Sequence, residues 1–464
     1  MVFRGLKWVT AVLVFSLSIF YSMSAFAYYG LHSTEADLEF QAYVDAPGTV
    51  SSVDKLNQEG SSARTEGLKI VEEQVHHLMG VFQSESLKKE FGHLGALGED
   101  HVVSFVAVTQ GSSAGRVRLT YHFKSKTVFD KAAFDGEKTQ VPMPYIKLPL
   151  QPDLVYKATF TADGKNHCTD DFWQDREDFW YFFDPDKTDC PLRGDKVNVV
   201  RVMGSLTKDP NTTLTYPEYD RLYGNKDAAH PLRIDLFYGY IDTVRANRVK
   251  LSDENMLNMQ ALEAAIKPLG FEEDASQKLE KFKIGSDGKP TDGINFLHYW
   301  KRAAADGAPP IEIQILLSDT SSLSHDETFH TYLKAGLENT DLLVYDGHAG
   351  EGDNLNLNMR ALQDVHFDPT RYQIFFLNGC STYPYFKNMY FNAKGGSENL
   401  QLITSGLETD TSTSLPNMLA FLEGFIAGKK LTFQNIMQKL DHSNGKIGSY
   451  LYGVIGDQSS TWTP

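Results

Sequence analysis

The chain lacks a surplus of basic residues, and beyond its N-terminal segment it lacks any long apolar run. Its 44 Lys and Arg are outnumbered by 60 Asp and Glu, which gives a formal net charge of −16 at pH 7. Nucleic-acid binding depends on basic patches that neutralise phosphates, and the sequence contains none, so we expect no nucleic-acid partner. A membrane-spanning helix needs about 18 or more apolar residues in succession. No later stretch approaches that length, so we expect no span in the processed protein.

Metal ligands at close, paired spacing are also lacking. A structural zinc site usually draws on pairs of ligands that lie a few residues apart. The best candidate set is spread along the chain: His348, His366, Asp368 and Cys380. These residues could bind a metal only if they converged, and we therefore expect neither a metal nor another cofactor.

The first residues carry an export signal. Basic residues Arg4 and Lys7 precede an apolar core at 8–20, and the small-residue pattern of a cleavage site follows at 25–27. These three parts in this order are typical of a secretory signal peptide. We predict a signal peptide over residues 1–27 and a secreted or periplasmic protein. An uncleaved membrane anchor is the alternative, and the cleavage site argues against it.

Cysteine is scarce, since the chain holds only Cys168, Cys190 and Cys380. An exported protein meets an oxidising compartment, in which cysteines pair. Cys168 and Cys190 flank one aromatic, acidic segment and are natural partners. Closing a loop of that size stabilises a fold by roughly 3 kcal/mol. Cys380 is then the odd thiol, which indicates a reactive group or an intermolecular bridge, with a buried core cysteine as the plain alternative.

A chain of 464 residues is too long for one core, and two or three domains are expected. The first, at 28–228, is predicted to be β-rich, with one helix at 65–82 and the disulfide. Alternating residues at 116–123 indicate a half-buried strand that forms a hairpin with 102–108. Further strand candidates are 141–149, 154–161, 178–183 and 196–205. Both a sandwich and an open sheet fit this pattern.

This first region is predicted to be accessory, because it offers no strand-end nucleophile, no clustered acid and base, and no ligand spacing. It either regulates or positions the catalytic domain, or it serves as a targeting or adhesion module. A segment rich in Pro, Asn, Asp and Thr at 207–230 is the expected linker to the second domain.

The second domain, at 229–464, alternates strands with helices, which is typical of a parallel sheet with crossover helices. Its predicted strands are 232–240, 311–317, 342–347, 374–379 and 400–405. Its helices are expected to begin near 252 and, at a capping box formed by Ser324 and Glu327, near 324, and to occupy about 355–362, 415–427 and 432–440. The predicted fold class is α/β.

Two of these strands lead into a reactive residue. The run at 342–347 precedes His348, and the run at 374–379 precedes Cys380. In open α/β sheets, ligands bind beyond the carboxyl ends of the strands. We expect His348 and Cys380 to lie there, one strand apart, where an imidazole can serve a thiolate. The pair predicts a cysteine hydrolase, with Cys380 as the nucleophile and His348 as the general acid and base.

Small residues bracket both reactive side chains: Gly347, Gly350 and Gly379. They would let a substrate come close, and we expect them to line the site. The tetrahedral oxyanion formed in acyl transfer needs backbone N–H donors. We predict that the N–H groups of Ala349 and Cys380 supply them.

Acidic residues crowd the loop of the histidine: Asp346, Glu351 and Asp353. They could orient the imidazole or line a pocket for a basic side chain. Solvation of an exposed loop is the plainer interpretation. Of the three, Asp353 is the one that we predict to line the site.

These two strand ends resemble the signature of the caspase-like cysteine peptidase superfamily, which includes caspases, metacaspases, legumains, gingipains, clostripain and separase. The shared pattern is an apolar strand ending in His-Gly, followed by an apolar strand ending in a small residue and Cys. The resemblance covers about 232–442 and is strongest at 341–382. It implies a caspase-like α/β/α sandwich with a mostly parallel central sheet, endopeptidase activity and a polypeptide substrate.

The sequence departs from that signature at two points. Ala349, rather than Gly, follows His348, and the segment 378–382 (NGCST) replaces the caspase pentapeptide. The second departure excludes a true caspase and indicates an exported bacterial relative nearer to gingipains or legumains. Two other functions stay open. One is a non-enzymatic binding protein on a decayed peptidase fold, and the other is a thiol acyltransferase or transpeptidase that uses the same two residues.

Overall fold

The structure is a computed structural model that describes residues 28–464 with short gaps. The gaps are 49–51, 135–137, 175–178, 196, 210–213, 243–247, 306 and 446–448. The predicted signal peptide at 1–27 lies outside the described residues. Within the part that is described, no helix is long and apolar enough to cross a bilayer.

The described strands fall into two sheets. In chain order they are β1 (Ser33–Pro47), β2 (Gly95–Gln110), β3 (Arg116–Asp130), β4 (Gln140–Pro149), β5 (Val199–Lys208), β6 (Leu232–Gly239), β7 (Val249–Lys250), β8 (Glu272–Glu273), β9 (Leu279–Ile284), β10 (Pro290–Arg302), β11 (Ile311–Ser318), β12 (Leu342–Asp346), β13 (Gln373–Asn378), β14 (Leu400–Thr404) and β15 (Gly453–Ile455).

The α-helices of the described chain vary from one turn to about four turns. They are α1 (Val53–Asn57), α2 (Ser62–Val75), α3 (Leu78–Gln83), α4 (Glu85–Phe91), α5 (Pro152–Thr159), α6 (Tyr219–Tyr223), α7 (Glu254–Ile266), α8 (Thr328–Asn339), α9 (Tyr383–Lys394), α10 (Ser414–Ile426) and α11 (Phe433–Ser443).

The first sheet is antiparallel and has the strand order β2-β3-β1-β5-β4. β1 pairs with β3 along its full length, from Ser33 opposite Asp130 to Pro47 opposite Arg116. β2 and β3 form the hairpin that the alternation at 116–123 predicts. Apolar side chains of α2 and α3 join those of the strands in one buried cluster. This region is therefore an open sheet packed against helices.

Two strand predictions for this region are wrong. The segment 154–161 lies mostly in α5, which begins at Pro152 and has Asp153 in its first turn. Proline is preorganised for the first helical position, and an acidic residue is favourable near a helix N-terminus, so local signals outweigh the strand pattern. The segment 178–183 contains a 3-10 turn at Phe179–Phe182 instead of a strand.

The region also contains more helix than predicted, and one strand was missed. The helix expected at 65–82 is divided into α2 and α3, and α1, α4 and α5 accompany it. The missed strand is β1, although its sequence carries the signal of a half-buried strand. Its apolar residues alternate with polar ones and all belong to the buried cluster: Ala36, Leu38, Phe40, Ala42, Val44 and Ala46.

The second sheet has the strand order β15-β14-β13-β12-β6-β11-β10-β7, with β8 and β9 paired to β10. The five strands β11, β6, β12, β13 and β14 are parallel. β10 and β15 run antiparallel to their neighbours. All five parallel strands are predicted from the sequence, so the α/β class of this region is confirmed, with a mixed sheet.

Helices cover both faces of this sheet. Side chains of α7, α10 and α11 form one buried cluster with one face, and side chains of α8 and α9 form another with the opposite face. Successive residues of β12 show the alternation, since Val344 belongs to the first cluster and Tyr345 to the second. The result is a layer of strands between two layers of helices.

Some elements of the second region differ from the prediction. After α7 the chain forms β8, β9 and β10, which extend the sheet where only a crossover was expected. The helix predicted at 355–362 is replaced by a 3-10 turn at Asp353–Leu355 and by turns after it. α9 was not predicted, because its aromatic residues favour strands as much as helices.

The two sheets share buried contacts through α9 and through the first described residues. Tyr28 is fully buried, and its hydroxyl donates to the carbonyls of Thr404 and Leu451. The Tyr383 hydroxyl donates to the buried carboxylate of Glu35 at 2.7 Å. α9 therefore packs against both regions.

Cys168 and Cys190 form a disulfide, with Cα atoms 4.5 Å apart, and Cys380 is free. Both bonded cysteines are buried in the cluster of the first sheet, next to Tyr181 and Phe183. The pairing predicted from the sequence is confirmed.

Replacing Cys168 and Cys190 together by Ala should lower the free energy of unfolding by about 3 kcal/mol, because the unfolded chain regains the entropy of an open loop. Urea denaturation followed by tryptophan fluorescence measures the loss. Cys380→Ala is the matched control, since it removes a cysteine without opening a bridge. An unchanged unfolding midpoint in the double variant would contradict the prediction.

Candidate active site

β12 and β13 place the two reactive residues at one edge of the sheet. Asp346 lies opposite Asn378 in the last pair of the parallel register, and each is followed two positions later by a reactive residue, His348 or Cys380. The loops then touch, since a Cβ at Gly379 would lie 2.9 Å from the Gly347 carbonyl oxygen. Glycine at position 379 allows this approach, because any other side chain would meet that oxygen.

A buried polar network lies beneath these loops. The Asn378 amide donates to the Asp346 carboxylate at 2.6 Å, and the Asn255 amide donates to the same carboxylate at 3.3 Å. The Tyr452 hydroxyl donates to the Asn378 side-chain oxygen. Burial raises the pKa of Asp346, and these hydrogen bonds oppose that rise. Asp346 thus serves the framework and does not line the site.

The His348 imidazole is exposed, and its Nε2 lies 3.1 Å from the carbonyl oxygen of Ile241. A carbonyl can only accept, so Nε2 carries a proton and donates it. In the neutral ring Nδ1 is then the atom that can accept a proton. Ile241 follows β6 and His348 follows β12, the two strands between which the strand order reverses. Ligands of open α/β sheets bind at such a switch point.

Two side chains fix the backbone of the loop that carries His348 by hydrogen bonds. The His348 carbonyl accepts from the Tyr345 hydroxyl at 2.5 Å and from the Asn354 amide at 2.7 Å. Gly350 has φ +58°, and a Cβ there would lie 2.6 Å from the Asn354 Oδ1. Glycine is required at this position for both reasons.

Cys380 is partly buried, and its Sγ lies 3.9 Å from the carbonyl oxygen of Thr409. Its neighbour Ser381 has φ +49° and donates its N–H to the Leu407 carbonyl at 3.0 Å. Among the described residues no hydrogen bond joins Sγ to the imidazole. The structure brings His348 and Cys380 to the same edge without bonding them.

The surroundings of Cys380 favour the protonated thiol over the thiolate. Burial, followed by the negative charge of Glu408, raises the pKa of the Cys380 thiol to about 12. Glu408 also interacts electrostatically with His348. The carboxylate therefore lies near both reactive groups. Sequence analysis missed Glu408 because it occupies a polar loop after β14 with no distinguishing pattern.

The predicted oxyanion donors are available. Within the described part of the chain, neither the Ala349 N–H nor the Cys380 N–H donates to a protein acceptor. Ala349 is 2 % exposed, so its N–H lies in a site from which bulk water is largely excluded. Such donors stabilise an oxyanion more strongly than donors in open water.

Residues of the first region border the thiol, which the sequence could not show. The Ser381 hydroxyl donates to the Gln83 side-chain oxygen at 3.3 Å, and Gln83 donates to the Tyr181 carbonyl at 3.4 Å. Tyr181 itself interacts electrostatically with Cys380. The Tyr385 hydroxyl approaches the Met79 sulfur at 3.7 Å. The loop that carries Cys380 is therefore contacted by residues of both regions.

The remaining candidates have partners other than His348 and Cys380, although the charge of Asp353 acts on Tyr385, which also interacts with Cys380. Asp353 is exposed and begins a short 3-10 turn, with its carboxylate near the Asn356 amide. Asp368 caps the turn at Thr370. Over the described ranges no cluster of His, Cys, Asp and Glu has the arrangement of a metal site.

An imidazole with an available Nδ1, a thiol at the same sheet edge and two N–H donors without an acceptor in the described chain can together carry out acyl transfer. No protein-family model matches the chain, and no curated protein matches its sequence. Membership of the caspase-like superfamily therefore stays a proposal that depends on the site itself.

Glu408→Gln should raise the rate of Cys380 alkylation. Removing a negative charge next to the thiol lowers its pKa, and half a pKa unit increases the thiolate fraction about 3-fold. Iodoacetamide labelling at mildly alkaline pH, read by mass spectrometry of the Cys380 peptide, measures the rate. Glu398→Gln, just before the start of β14 at the opposite end of that strand, is the matched control. Equal rates in both variants would contradict the electrostatic role of Glu408.

Proposed function

We propose that this protein is an exported cysteine endopeptidase that uses His348 and Cys380 as a catalytic dyad. The observation that carries the proposal is the register of β12 and β13. An imidazole and a thiol follow adjacent carboxyl ends of parallel strands, beside N–H groups that have no acceptor among the described residues. Three features of this kind in one place favour acyl transfer over a structural role.

The proposed fold family is the caspase-like superfamily. Its support is the strand order of the second sheet, the helices on both faces, and the position of His348 and Cys380 after successive parallel strands. The disulfide is compatible with a secreted or periplasmic protein. The partner is a polypeptide substrate.

The first half of the proposed reaction forms an acyl-enzyme. Nδ1 of His348 takes the thiol proton as Sγ of Cys380 attacks the carbonyl carbon of the scissile peptide. The carbonyl oxygen becomes an oxyanion that accepts from the N–H groups of Ala349 and Cys380. The intermediate collapses, the C–N bond breaks, and the imidazolium gives its proton to the leaving amine.

The second half restores the enzyme. His348 takes a proton from water as the water oxygen attacks the thioester carbon. The C–S bond breaks, the imidazolium returns the proton to the sulfur, and the carboxylic acid leaves. The Ile241 carbonyl supports both steps, because it accepts from Nε2–H in the neutral ring and in the imidazolium.

The high pKa of the Cys380 thiol determines at which step its proton is transferred. A thiol with a pKa of about 12 is protonated at neutral pH, so the proton must be transferred during the attack and not before it. The contacts that Gln83 and Tyr181 make with the Cys380 loop support a restraining role for the first region. The site would then open when that region moves, either by itself or as the substrate binds.

The protonated state of the Cys380 thiol also favours one alternative function, a non-enzymatic binding protein on a decayed peptidase fold. A protonated, partly buried thiol with no hydrogen bond to the imidazole within the described chain fits a site that no longer catalyses. The rival predicts that Cys380→Ala leaves partner binding intact. A transpeptidase differs from both, because an added amine would replace water in the second step.

Cys380→Ala and His348→Ala should each reduce peptide turnover by about 10³-fold or more, because each removes a member of the proton-transfer pair. The measurement is cleavage of a proteome-derived peptide library by the mature protein, with and without an added amine nucleophile. His366→Ala is the matched control, since that histidine lies outside the site.

No cleavage by the wild-type protein, or equal turnover in His348→Ala and His366→Ala, would contradict the endopeptidase. Products that carry the added amine would assign the chain to the transpeptidases instead.

Gln83→Ala should expose the thiol if the first region restrains the site. The change removes the hydrogen bond to Ser381, and losing about 1 kcal/mol raises the open population about 5-fold. Alkylation of Cys380 and peptide turnover should both rise, with Gln58→Ala, in an exposed part of the same region, as control. A fall in turnover with unchanged alkylation would show that the first region completes the site and does not restrain it.

A further inference from the structure

Asp253, the N-cap residue of α7, accepts more hydrogen bonds than capping requires. It is fully buried. Its Oδ1 accepts from the N–H groups of Asn255 at 2.9 Å and Met256 at 3.3 Å, which is ordinary capping. Its Oδ2 accepts from the N–H groups of Ile241 and Asp242, both at 2.9 Å. The second oxygen therefore holds the loop that follows β6.

That loop is the one that contacts the candidate general base. The Asp242 N–H and the Ile241 carbonyl belong to the same planar peptide group. A hydrogen bond from its N–H to Asp253 therefore orients the carbonyl that accepts from Nε2 of His348 at 3.1 Å. A bond at one end of a peptide also polarises it and strengthens the bond at the other end.

The same turn of α7 also joins the strands that flank the switch point. The Asn255 amide donates to the carbonyl of Gly239 at 2.8 Å and to that of Asp346 at 3.3 Å. The end of β6, the end of β12 and the peptide that contacts His348 are thus attached to one helix N-terminus. The peptide cannot turn without breaking bonds to a buried carboxylate.

We propose that Asp253 is a positioning residue, which orients the peptide at 241–242 so that its carbonyl selects the Nε2–H tautomer of His348 and leaves Nδ1 as the base. Its meaning for catalysis rests on the proposed function. The tautomer of His348 does not rest on the proposed function, because it can be observed in a protein without activity.

Asp253→Asn separates this role from helix capping. Asparagine caps a helix as well as aspartate does, so Oδ1 can still accept from the first turn of α7. The side-chain NH₂ that replaces Oδ2 meets two N–H donors and cannot accept from either. Thr432→Ala is the control, because it removes the N-cap hydrogen bond of α11 to Asn435 and leaves the site untouched.

Two measurements on the full mature protein test the inference. Nitrogen-15 spectra of histidine-labelled protein give the tautomer of each ring, and the signal absent from His348→Gln identifies His348. We expect a defined Nε2–H tautomer in the wild type and in Thr432→Ala, and a mixture of tautomers in Asp253→Asn. Peptide turnover by Asp253→Asn should fall about 10-fold in kcat, with KM little changed, because the base is misplaced and substrate contacts are kept.

A wild-type His348 without a fixed tautomer would overturn the inference. So would an Asp253→Asn spectrum identical to the wild type together with a loss of thermal stability, since this is the result of a purely structural role. A tautomer change in Asp253→Asn in a protein that cleaves no peptide would uphold the positioning role and reject the proposed function.

Discussion

The candidate site depends on one buried contact, in which the Asn378 amide donates to the Asp346 carboxylate at 2.6 Å. The contact joins β12 to β13 at their last paired residues, and the reactive residues follow two positions later on each strand. A buried carboxylate without partners is strongly destabilising, so β13 and α7, which supplies Asn255, must both be in place before the site exists. The positions of the thiol and the imidazole therefore depend on the pairing of β12 with β13 beside this carboxylate.

Sequence analysis predicts this part of the molecule well, for physical reasons. Strands buried on both faces must be continuously apolar, so the runs before His348 and Cys380 are visible without a structure. The pairing of Cys168 with Cys190 follows from their number and the export signal. Elements that depend on tertiary contacts were missed. α9 is such an element, because its aromatic residues pack on two regions. β1 is a different case, since its apolar residues do alternate along the strand and could have been recognised.

The chemistry was less predictable than the fold. A sequence places reactive residues at strand ends, but it does not show which groups arrive from distant loops. Glu408 contributes with burial to the raised pKa of the thiol, and Tyr181 interacts with it electrostatically. Gln83 bonds the hydroxyl of the next residue, Ser381. Sequence analysis pairs the thiol with the imidazole of His348 alone. In the structure, burial and the charge of Glu408 raise the pKa of that thiol to about 12.

The most direct test of the account is site-directed alkylation of Cys380 by a peptide reagent. The mature protein would be treated with a mixture of peptidyl chloromethyl ketones, digested, and mapped by mass spectrometry. The account predicts a peptidyl adduct on Cys380 that forms faster than alkylation by a simple chloroacetamide, because the peptide occupies the site and the carbonyl oxygen meets the N–H donors. Equal rates for the two reagents, or adducts confined to other side chains, would contradict it.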